Sequence, residues 1–212
     1  MIITIDTETQ GLNCQAFIMG AICNENHKIE TYREREKMWQ RIMQLAERAK
    51  KKEECLFVYA HNMQYDYYTI NKGEKNKELQ TYSTNPYIVD GKDEKGRIYI
   101  KFLSTTSLFR GSLEEMGKTI GIKKKETPEW CKKENYRPEF WELNQLEEYM
   151  KRDATIVMKY IQALKKELKK NGMKPRWIIT AGQIGINHLI KKAATEDTTN
   201  EIFWDTRLKK IS

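Results

Sequence analysis

Ile2-Ile3-Thr4-Ile5-Asp6-Thr7-Glu8-Thr9 is the stretch that predicts the first element of the fold. Its first half is rich in β-branched residues, which favours a short buried strand. Side chains two positions apart on a strand lie on the same face, so Asp6 and Glu8 converge at its end. Two carboxylates held close together raise each other's pKa unless a cation lies between them. The stretch predicts either a site for Mg²⁺ or Mn²⁺, which prefer oxygen ligands, or an ordinary strand end with solvated acids.

The chain has 212 residues and a formal net charge of +8, with 32% of its residues charged. This length suits one large domain, or one domain with an appendage. The positive balance favours a polyanionic partner such as nucleic acid. An AT-rich coding sequence explains a lysine-rich composition equally well, so charge alone does not decide the class of protein.

The four cysteines show no C-x-x-C spacing, which indicates neither a zinc site nor a disulfide framework. No apolar run approaches the roughly 18 residues of a membrane span. The N-terminus enters a strand directly, without the pattern of a signal peptide. We therefore expect a soluble, cytoplasmic monomer that has no contact with a membrane and no separate domain before the first strand.

The order of apolar patterns along the chain predicts the fold class. Strand patterns at 2–9, 16–23 and 27–33 precede a helical pattern over 34–52 and a further strand at 56–60. A hairpin follows at 87–102, and a long helix is predicted to start at Asn144 and to end at Asn171-Gly172. This succession predicts an α/β fold with a mixed sheet flanked by helices. A last helix is expected over 177–194.

A second polar motif, His61-Asn62-Met63-Gln64-Tyr65-Asp66-Tyr67-Tyr68, follows the strand at 56–60 directly. In open α/β sheets ligands bind in the crevice at such strand ends. Asp66 offers a third carboxylate there, Asn62 an amide for a base or sugar, and the tyrosines stacking faces for an unpaired base. Alternatively, Asn62 and Asp66 only cap the helix that begins here.

A third motif lies on the long helix, where Tyr149 and Asp153 are four residues apart and share a face. Asp153 falls on or near the apolar stripe of that helix. A carboxylate buried there without a partner is costly. Asp153 therefore either joins a cation site or pairs at the edge of the stripe with Lys151 or Arg152.

Taken together, Asp6-x-Glu8, Asn62-x-x-Tyr65-Asp66 and Tyr149-x-x-x-Asp153 resemble the motifs of the DEDD (DnaQ-like) 3′→5′ exonucleases, which have an RNase H-like fold. The position of the alternative histidine holds Glu148, so the resemblance is to the tyrosine subclass. IDTET, YAHNMQYDYY and YMKRDATIV are similar to the proofreading domain of protein-primed family B DNA polymerases of the phage type. Thr180-Ala181-Gly182 resembles the segment that leads from that domain into the polymerase palm.

The resemblance implies roles for particular residues. Four carboxylates, of Asp6, Glu8, Asp66 and Asp153, would hold two Mg²⁺ or Mn²⁺ ions, and Tyr149 would orient the attacking water. The 3′-terminal nucleotides would be held by Thr9, Asn62, Tyr65 and a Ser-Leu pair. For that pair Ser107-Leu108 is favoured by its position after a strand, while Ser112-Leu113 fits the generic pattern. The lysine that contacts the scissile phosphate is assigned to Lys125, with Lys124 as the alternative.

The resemblance also implies the domains and the function. Residues 1–172 would form the exonuclease domain, and 173–212 a C-terminal helix and tail resembling the connection to the palm. The expected activity is metal-dependent 3′→5′ hydrolysis of single-stranded DNA in a bacterial, phage or mobile-element context, by a fragment of a polymerase or a stand-alone enzyme. The expected partners are 3′ ends of single-stranded DNA and either a polymerase domain or a terminal protein. The alternatives are a non-catalytic module that binds single strands or a primer protein, and an exonuclease that acts on RNA.

Overall fold

The computed structural model describes residues 1–10, 16–71, 79–85, 87–133, 136–173, 181–182 and 184–186. Its strands are β1 Ile2–Gln10, β2 Ala16–Asn24, β3 Ile29–Tyr32, β4 Leu56–Ala60, β5 Leu79–Thr84, β6 Tyr87–Lys92 and β7 Ile98–Ser104. Its longer helices are α1 Arg35–Lys51, α2 Met63–Ile70, α3 Leu113–Thr119 and α4 Phe140–Lys170. Two short 3₁₀ helices cover Thr105–Ser107 and Glu129–Lys132.

The strands form one mixed seven-stranded sheet in the order β3-β2-β1-β4-β7-β6-β5. The three central strands β1, β4 and β7 run parallel, and antiparallel pairs extend the sheet on both sides. The carboxyl ends of the three parallel strands therefore lie at one edge of the sheet, where such folds bind ligands. The fold is α/β, as predicted.

Each face of the sheet is covered by its own apolar core. On one face, α1 and α2 pack over a core that includes Ile3, Ile5 and Phe102. On the other, α3 and α4 pack over a core that includes Met19, Tyr59 and Ile156. Alternation along β1 sends Ile3 and Ile5 to the first face, so its even-numbered residues lie toward α4. A hydrogen bond from Thr4 Oγ1 to the carbonyl of Ala154 on α4, 2.7 Å long, confirms this orientation.

Helix α4 begins five residues earlier than predicted, since its N-cap is Glu139 and not Asn144. The Glu139 amide donates to Glu142 Oε2 at 2.8 Å in a capping box. Tyr136 supports this start, because its hydroxyl bonds the same carboxylate. The predicted cap, Asn144, therefore lies inside the helix. The end was placed correctly: α4 finishes at Lys170 and Gly172 has a positive φ of 68°, which suits glycine.

The predictions for the remaining strands and for the last helix had mixed outcomes. The hairpin of β6 and β7 is confirmed, but β5, which pairs with β6, was not predicted. The last helix falls mostly outside the described residues, which are helical at 181–182 and 184–186. Thr180 and the tail from 187 also lie outside them. None of the helices in the described part of the chain has the length and apolar character needed to cross a membrane.

Candidate active site

The first two acids stand on β1, at the edge where the parallel strands end. Asp6 and Glu8 share the strand face that lies toward α4, as the two-residue spacing predicted. The register with β2 shifts between Glu8 and Thr9, which marks a bulge directly after the second acid. Bulges of this kind redirect side chains at the ends of strands.

The third acid comes from the helix that follows β4. Asp66 lies in the first turn of α2 with only 4% of its surface exposed. Its Oδ1 accepts a hydrogen bond of 2.8 Å from Thr7 Oγ1 on β1. Asn62 takes the N-cap position, but its side chain forms no cap hydrogen bond. Asp66 is thus directed toward the end of β1, where it interacts electrostatically with Asp6 and Glu8 rather than serving only as a helix cap.

The fourth acid, Asp153, is 1% exposed on the face of α4 that covers the sheet. Its partner is a lysine from a distant loop, since Lys124 Nζ lies 3.0 Å from Asp153 Oδ2. Lys151, which the sequence suggested as a partner of Asp153, instead forms a salt bridge with Glu147, with 2.7 Å between Lys151 Nζ and Glu147 Oε1. Asp153 therefore belongs to the acid cluster and not to the edge of the helix.

Tyr149 lies one turn before Asp153, and its hydroxyl accepts two hydrogen bonds. Lys124 Nζ donates at 2.8 Å and Thr127 Oγ1 at 3.0 Å. Burial and the nearby carboxylate of Asp153 raise the pKa of Tyr149 above its usual value. The phenol therefore keeps its proton at neutral pH, and it can donate one hydrogen bond while it accepts two.

The structure places the alternative lysine, Lys124, against the acids. We favoured Lys125 over Lys124, but Lys124 is the one that contacts both Asp153 and Tyr149. Lys125 lies at the surface, with 43% of its side chain exposed and Nζ at 3.7 Å from Glu148. Successive side chains in a loop point in different directions, and of these two lysines Lys124 points toward the acids while Lys125 points to the surface.

Burial, joined for three of them by repulsion from neighbouring acids, raises the pKa values of the four carboxylates. Burial raises the pKa of Glu8 to about 7, with a further contribution from Asp153 that Lys124 and Tyr149 partly offset. Burial also raises the pKa of Asp66 to about 7, against the hydrogen bond from Thr7. The pKa of Asp6 is raised well above its usual value, first by burial and then by the other three acids. Such a cluster holds protons at neutral pH unless cations replace them.

Two oxygens of the cluster are suited to a cation. Asp6 Oδ2 and Asp153 Oδ1 are buried, and neither has a hydrogen-bond partner among the described residues. In the same residues, no three acidic, histidine or cysteine side chains are already grouped as the ligands of one ion. The acids are close enough to shift each other's pKa, while the ammonium of Lys124 lies against one of them. The donor set, all carboxylate oxygens, fits Mg²⁺ or Mn²⁺.

The residues predicted to hold a nucleic acid lie beside the acids. Thr9 Oγ1 and the Tyr65 hydroxyl are 2.7 Å apart, so β1 and α2 are joined here by a hydrogen bond. Asn62 is exposed at the start of α2. These side chains border the same edge of the sheet as the acid cluster.

The two Ser-Leu candidates have different surroundings. Ser107 ends the 3₁₀ helix that follows β7. Two hydrogen bonds join this turn to His61. Ser104 Oγ donates to the His61 carbonyl at 3.1 Å, and Thr105 Oγ1 lies 3.2 Å from His61 Nδ1. Leu108 follows and packs against the core under α4. Ser112 caps α3 in a capping box with Glu115. The first pair thus lies beside the second motif, whereas the second pair begins a helix.

Two site residues were not predicted, Thr7 and Thr127, each of which hydrogen-bonds a member of the cluster. A sign of Thr7 was present in the sequence, because a hydroxyl between Asp6 and Glu8 on a buried strand needs a polar partner. Thr127 follows an irregular lysine-rich stretch that offered no comparable pattern.

Sheet order, flanking helices and the position of the acids define an α/β protein with an RNase H-like fold, which confirms the predicted fold class. Neither a protein-family model nor a curated protein matches the chain.

Solved structures of Phi29 DNA polymerase do match it. The complex with primer-template DNA and incoming nucleotides has a TM-score of 0.64 at 13% identity, over 92% of this chain and 35% of that chain. The complex with single-stranded DNA has a TM-score of 0.61 at 15% identity, with the same coverage of both chains. The chain thus spans about a third of the length of the polymerase, and this likeness shows a shared fold.

Proposed function

We propose that the protein is a 3′→5′ exonuclease that depends on two divalent metal ions and removes 3′-terminal nucleotides from single-stranded DNA. One observation supports this most strongly: four carboxylates from three separate parts of the chain meet at one sheet edge, and two of their buried oxygens have no partner among the described residues. Burying like charges together destabilises a fold. Such clusters are characteristic of functional sites.

The carboxylates of Asp6, Glu8, Asp66 and Asp153 are the proposed metal ligands. When bound, a pair of Mg²⁺ or Mn²⁺ ions supplies a nucleophile at neutral pH and positive charge for the leaving oxygen. Thr7 would orient Asp66 through its hydrogen bond to Oδ1. Outer-shell partners of this kind fix the direction of a ligand and its basicity.

Tyr149 and Lys124 are proposed to act on the reacting groups. Because its pKa is raised, the Tyr149 phenol acts as a hydrogen-bond partner of the attacking water and not as its base. Thr127 and Lys124 hold the phenol in place. The Lys124 ammonium, within reach of Asp153, would also stabilise the charge that develops on the phosphate. This role replaces the one that we first assigned to Lys125.

A single-stranded substrate suits the groups around the acids. Tyr65 offers an aromatic face, and Thr9, Asn62 and the Ser107-Leu108 pair offer polar and apolar contacts to the last nucleotides. The similar fold of Phi29 DNA polymerase has been solved with single-stranded DNA, which supports DNA as the substrate. A polymerase domain or a terminal protein is the proposed macromolecular partner.

A 5′-labelled single strand incubated with Mg²⁺ or Mn²⁺ tests the proposal. The wild type should produce a ladder of shortened products, and the Asp6→Ala/Glu8→Ala variant should produce none. If the wild type binds the strand but does not shorten it, the protein is a binding module and the proposal is wrong. An RNA strand of the same sequence, run in parallel, would reveal an RNA-directed enzyme if it were degraded in preference to DNA.

A further inference from the structure

A groove of about 670 Å³ lies beside the acid cluster, between residues 125–129 and the first turns of α4. We call it the Trp141 groove, because Trp141 forms one wall while Thr127 and Tyr149 lie nearest the acids. Thr127 and Tyr149 are hydrogen-bonded to each other, and Tyr149 also bonds Lys124. The groove is therefore continuous with the proposed active site.

Trp141 is an unusual residue to find at the surface, with 59% of its area exposed. Aromatic side chains commonly line ligand-binding clefts, so an exposed ring at the wall of this groove offers a contact surface for a ligand. Phe140 precedes it and is 70% exposed, but it does not line the groove, and the Arg33 guanidinium lies 5.9 Å from its ring. Of the two neighbouring aromatics, only Trp141 can stack with a ligand in the groove.

The charges of the groove argue against a phosphate ligand. Its lining holds one lysine, Lys125, against the three carboxylates of Glu126, Glu129 and Glu148. Lys125 already lies 3.7 Å from Glu148. A phosphate placed here would meet more negative than positive charge, so the lining suits a neutral group better than the phosphodiester backbone.

The same lining matches the chemistry of a nucleobase. Trp141 supplies a stacking face, and the side-chain amides of Asn144 and Gln145 can donate to and accept from base edges. The carboxylates can accept hydrogen bonds from the exocyclic amino groups of bases, as acidic side chains do with cytosine. Stacking on an aromatic ring is available to every base, so it does not require a particular sequence.

We propose that the Trp141 groove is a subsite for one unpaired base of the single-stranded substrate, close to the nucleotide that is hydrolysed. This inference rests on the proposed function and adds to it a site for the base. Holding a base beside Tyr149 would fix the register of the strand relative to the acids. It would also disfavour a paired end, because a base must leave its stack to enter the groove.

The test measures the binding of a fluorescently labelled DNA single strand by anisotropy, with EDTA present so that the strand is not cleaved. Trp141→Ala should weaken binding by roughly 5- to 100-fold, as expected for the loss of one base–aromatic stack. Phe140→Ala, the matched control at the neighbouring exposed position, should bind within about twofold of the wild type. Both replaced rings are exposed, so neither change should alter the thermal unfolding of the fold.

A strand with one abasic position, moved along the last nucleotides, then identifies the base. At one position the missing base should weaken binding by the wild type and cause no further loss in Trp141→Ala, because both changes remove the same contact. The subsite is overturned if Trp141→Ala binds like the wild type, if Phe140→Ala loses as much, or if no abasic position shows this dependence.

The 5′-labelled digestion assay separates the two proposals. Wild-type digestion with unchanged binding by Trp141→Ala would overturn the base subsite alone. A wild type that neither binds nor digests the strand would overturn the proposed function, and the subsite with it.

Discussion

Lys124 lies 3.0 Å from Asp153, and this contact brings a loop between α3 and α4 into the acid cluster. The same ammonium donates to Tyr149 at 2.8 Å and lies 4.3 Å from the centre of its ring. Lys124 therefore provides positive charge among four carboxylates, of which those of Asp66 and Asp153 are buried.

Replacing Lys124 should change how the protein responds to metal ions. Lys124→Met should lower the stability of the metal-free protein by roughly 1–3 kcal/mol, because Asp153 loses its partner. It should also increase the stabilisation produced by Mn²⁺, since the ions no longer compete with an ammonium. Thermal unfolding with and without Mn²⁺ measures both effects.

Lys125→Met is the matched control for that experiment. Its contact with Glu148 is exposed at the surface, and such pairs contribute only about 0–1 kcal/mol. Equal behaviour of the two variants would contradict the assignment of Lys124 to the site.

Stability should depend on pH through the acid cluster. Glu8 and Asp66 have a pKa of about 7 in the folded protein, against roughly 4 in an unfolded chain. Between these values the folded state holds more protons than the unfolded state, so stability falls as the pH rises from about 4 to about 7. The melting temperature in EDTA should therefore decrease across this interval.

Two controls assign this effect to the cluster. Adding Mg²⁺ should flatten the pH dependence, because ions replace the protons, and Asp66→Asn should reduce it by removing one titrating group. A melting temperature in EDTA that increased through the interval in the wild type, and equally in Asp66→Asn, would show that the cluster does not control stability.

Tyr149→Phe removes the hydroxyl that Lys124 and Thr127 hold, while leaving the ring in place. Turnover on single-stranded DNA should fall roughly 10²-fold, by analogy with the loss of one oriented hydrogen-bond donor. Metal binding should be retained, because the phenol is not a ligand. Tyr160→Phe on the same helix, where the ring packs on Phe109, is the control and should leave turnover unchanged. Normal turnover in Tyr149→Phe would refute the role given to the phenol.

Thr7→Val removes the hydrogen bond to Asp66 Oδ1 without changing the size of the side chain appreciably. The affinity for Mn²⁺ should decrease by about 10- to 100-fold, the usual range for an outer-shell partner of a ligand. Isothermal titration calorimetry, with Mn²⁺ titrated into the protein, measures this affinity. Thr7→Ser keeps the hydroxyl and should bind nearly as well as the wild type; if serine fails as badly as valine, the hydrogen bond is not the cause.

The fold and the acids could be predicted because the patterns that encode them are local. Two-residue periodicity placed Asp6 and Glu8 on one strand face, and the four-residue spacing placed Tyr149 and Asp153 on one helix face. The parallel order of β1 and β4 then placed Asp66 at the same edge. The first two steps needed only a few neighbouring residues, whereas the pairing of β1 with β4 is a long-range contact that the structure supplies.

The remaining features depend on contacts that no local pattern encodes. Nothing in the run Lys123-Lys124-Lys125 shows which ammonium turns inward, because the loop has no periodicity and its partner, Asp153, lies on another element. The predicted start of α4 was wrong because the true N-cap, Glu139, is a less common cap than asparagine. Tyr136 also stabilises this start, through its hydrogen bond to Glu142. The groove beside Trp141 exists only once that loop and α4 are packed together.

The most direct test of the central proposal follows the product from a single strand labelled on its 3′-terminal nucleotide. With Mg²⁺ or Mn²⁺, the wild type should release the label as a mononucleotide in the first step, and Asp153→Asn should abolish this release. Release of the label within longer oligonucleotides, or no release by a wild type that binds the strand, would contradict a 3′→5′ exonuclease.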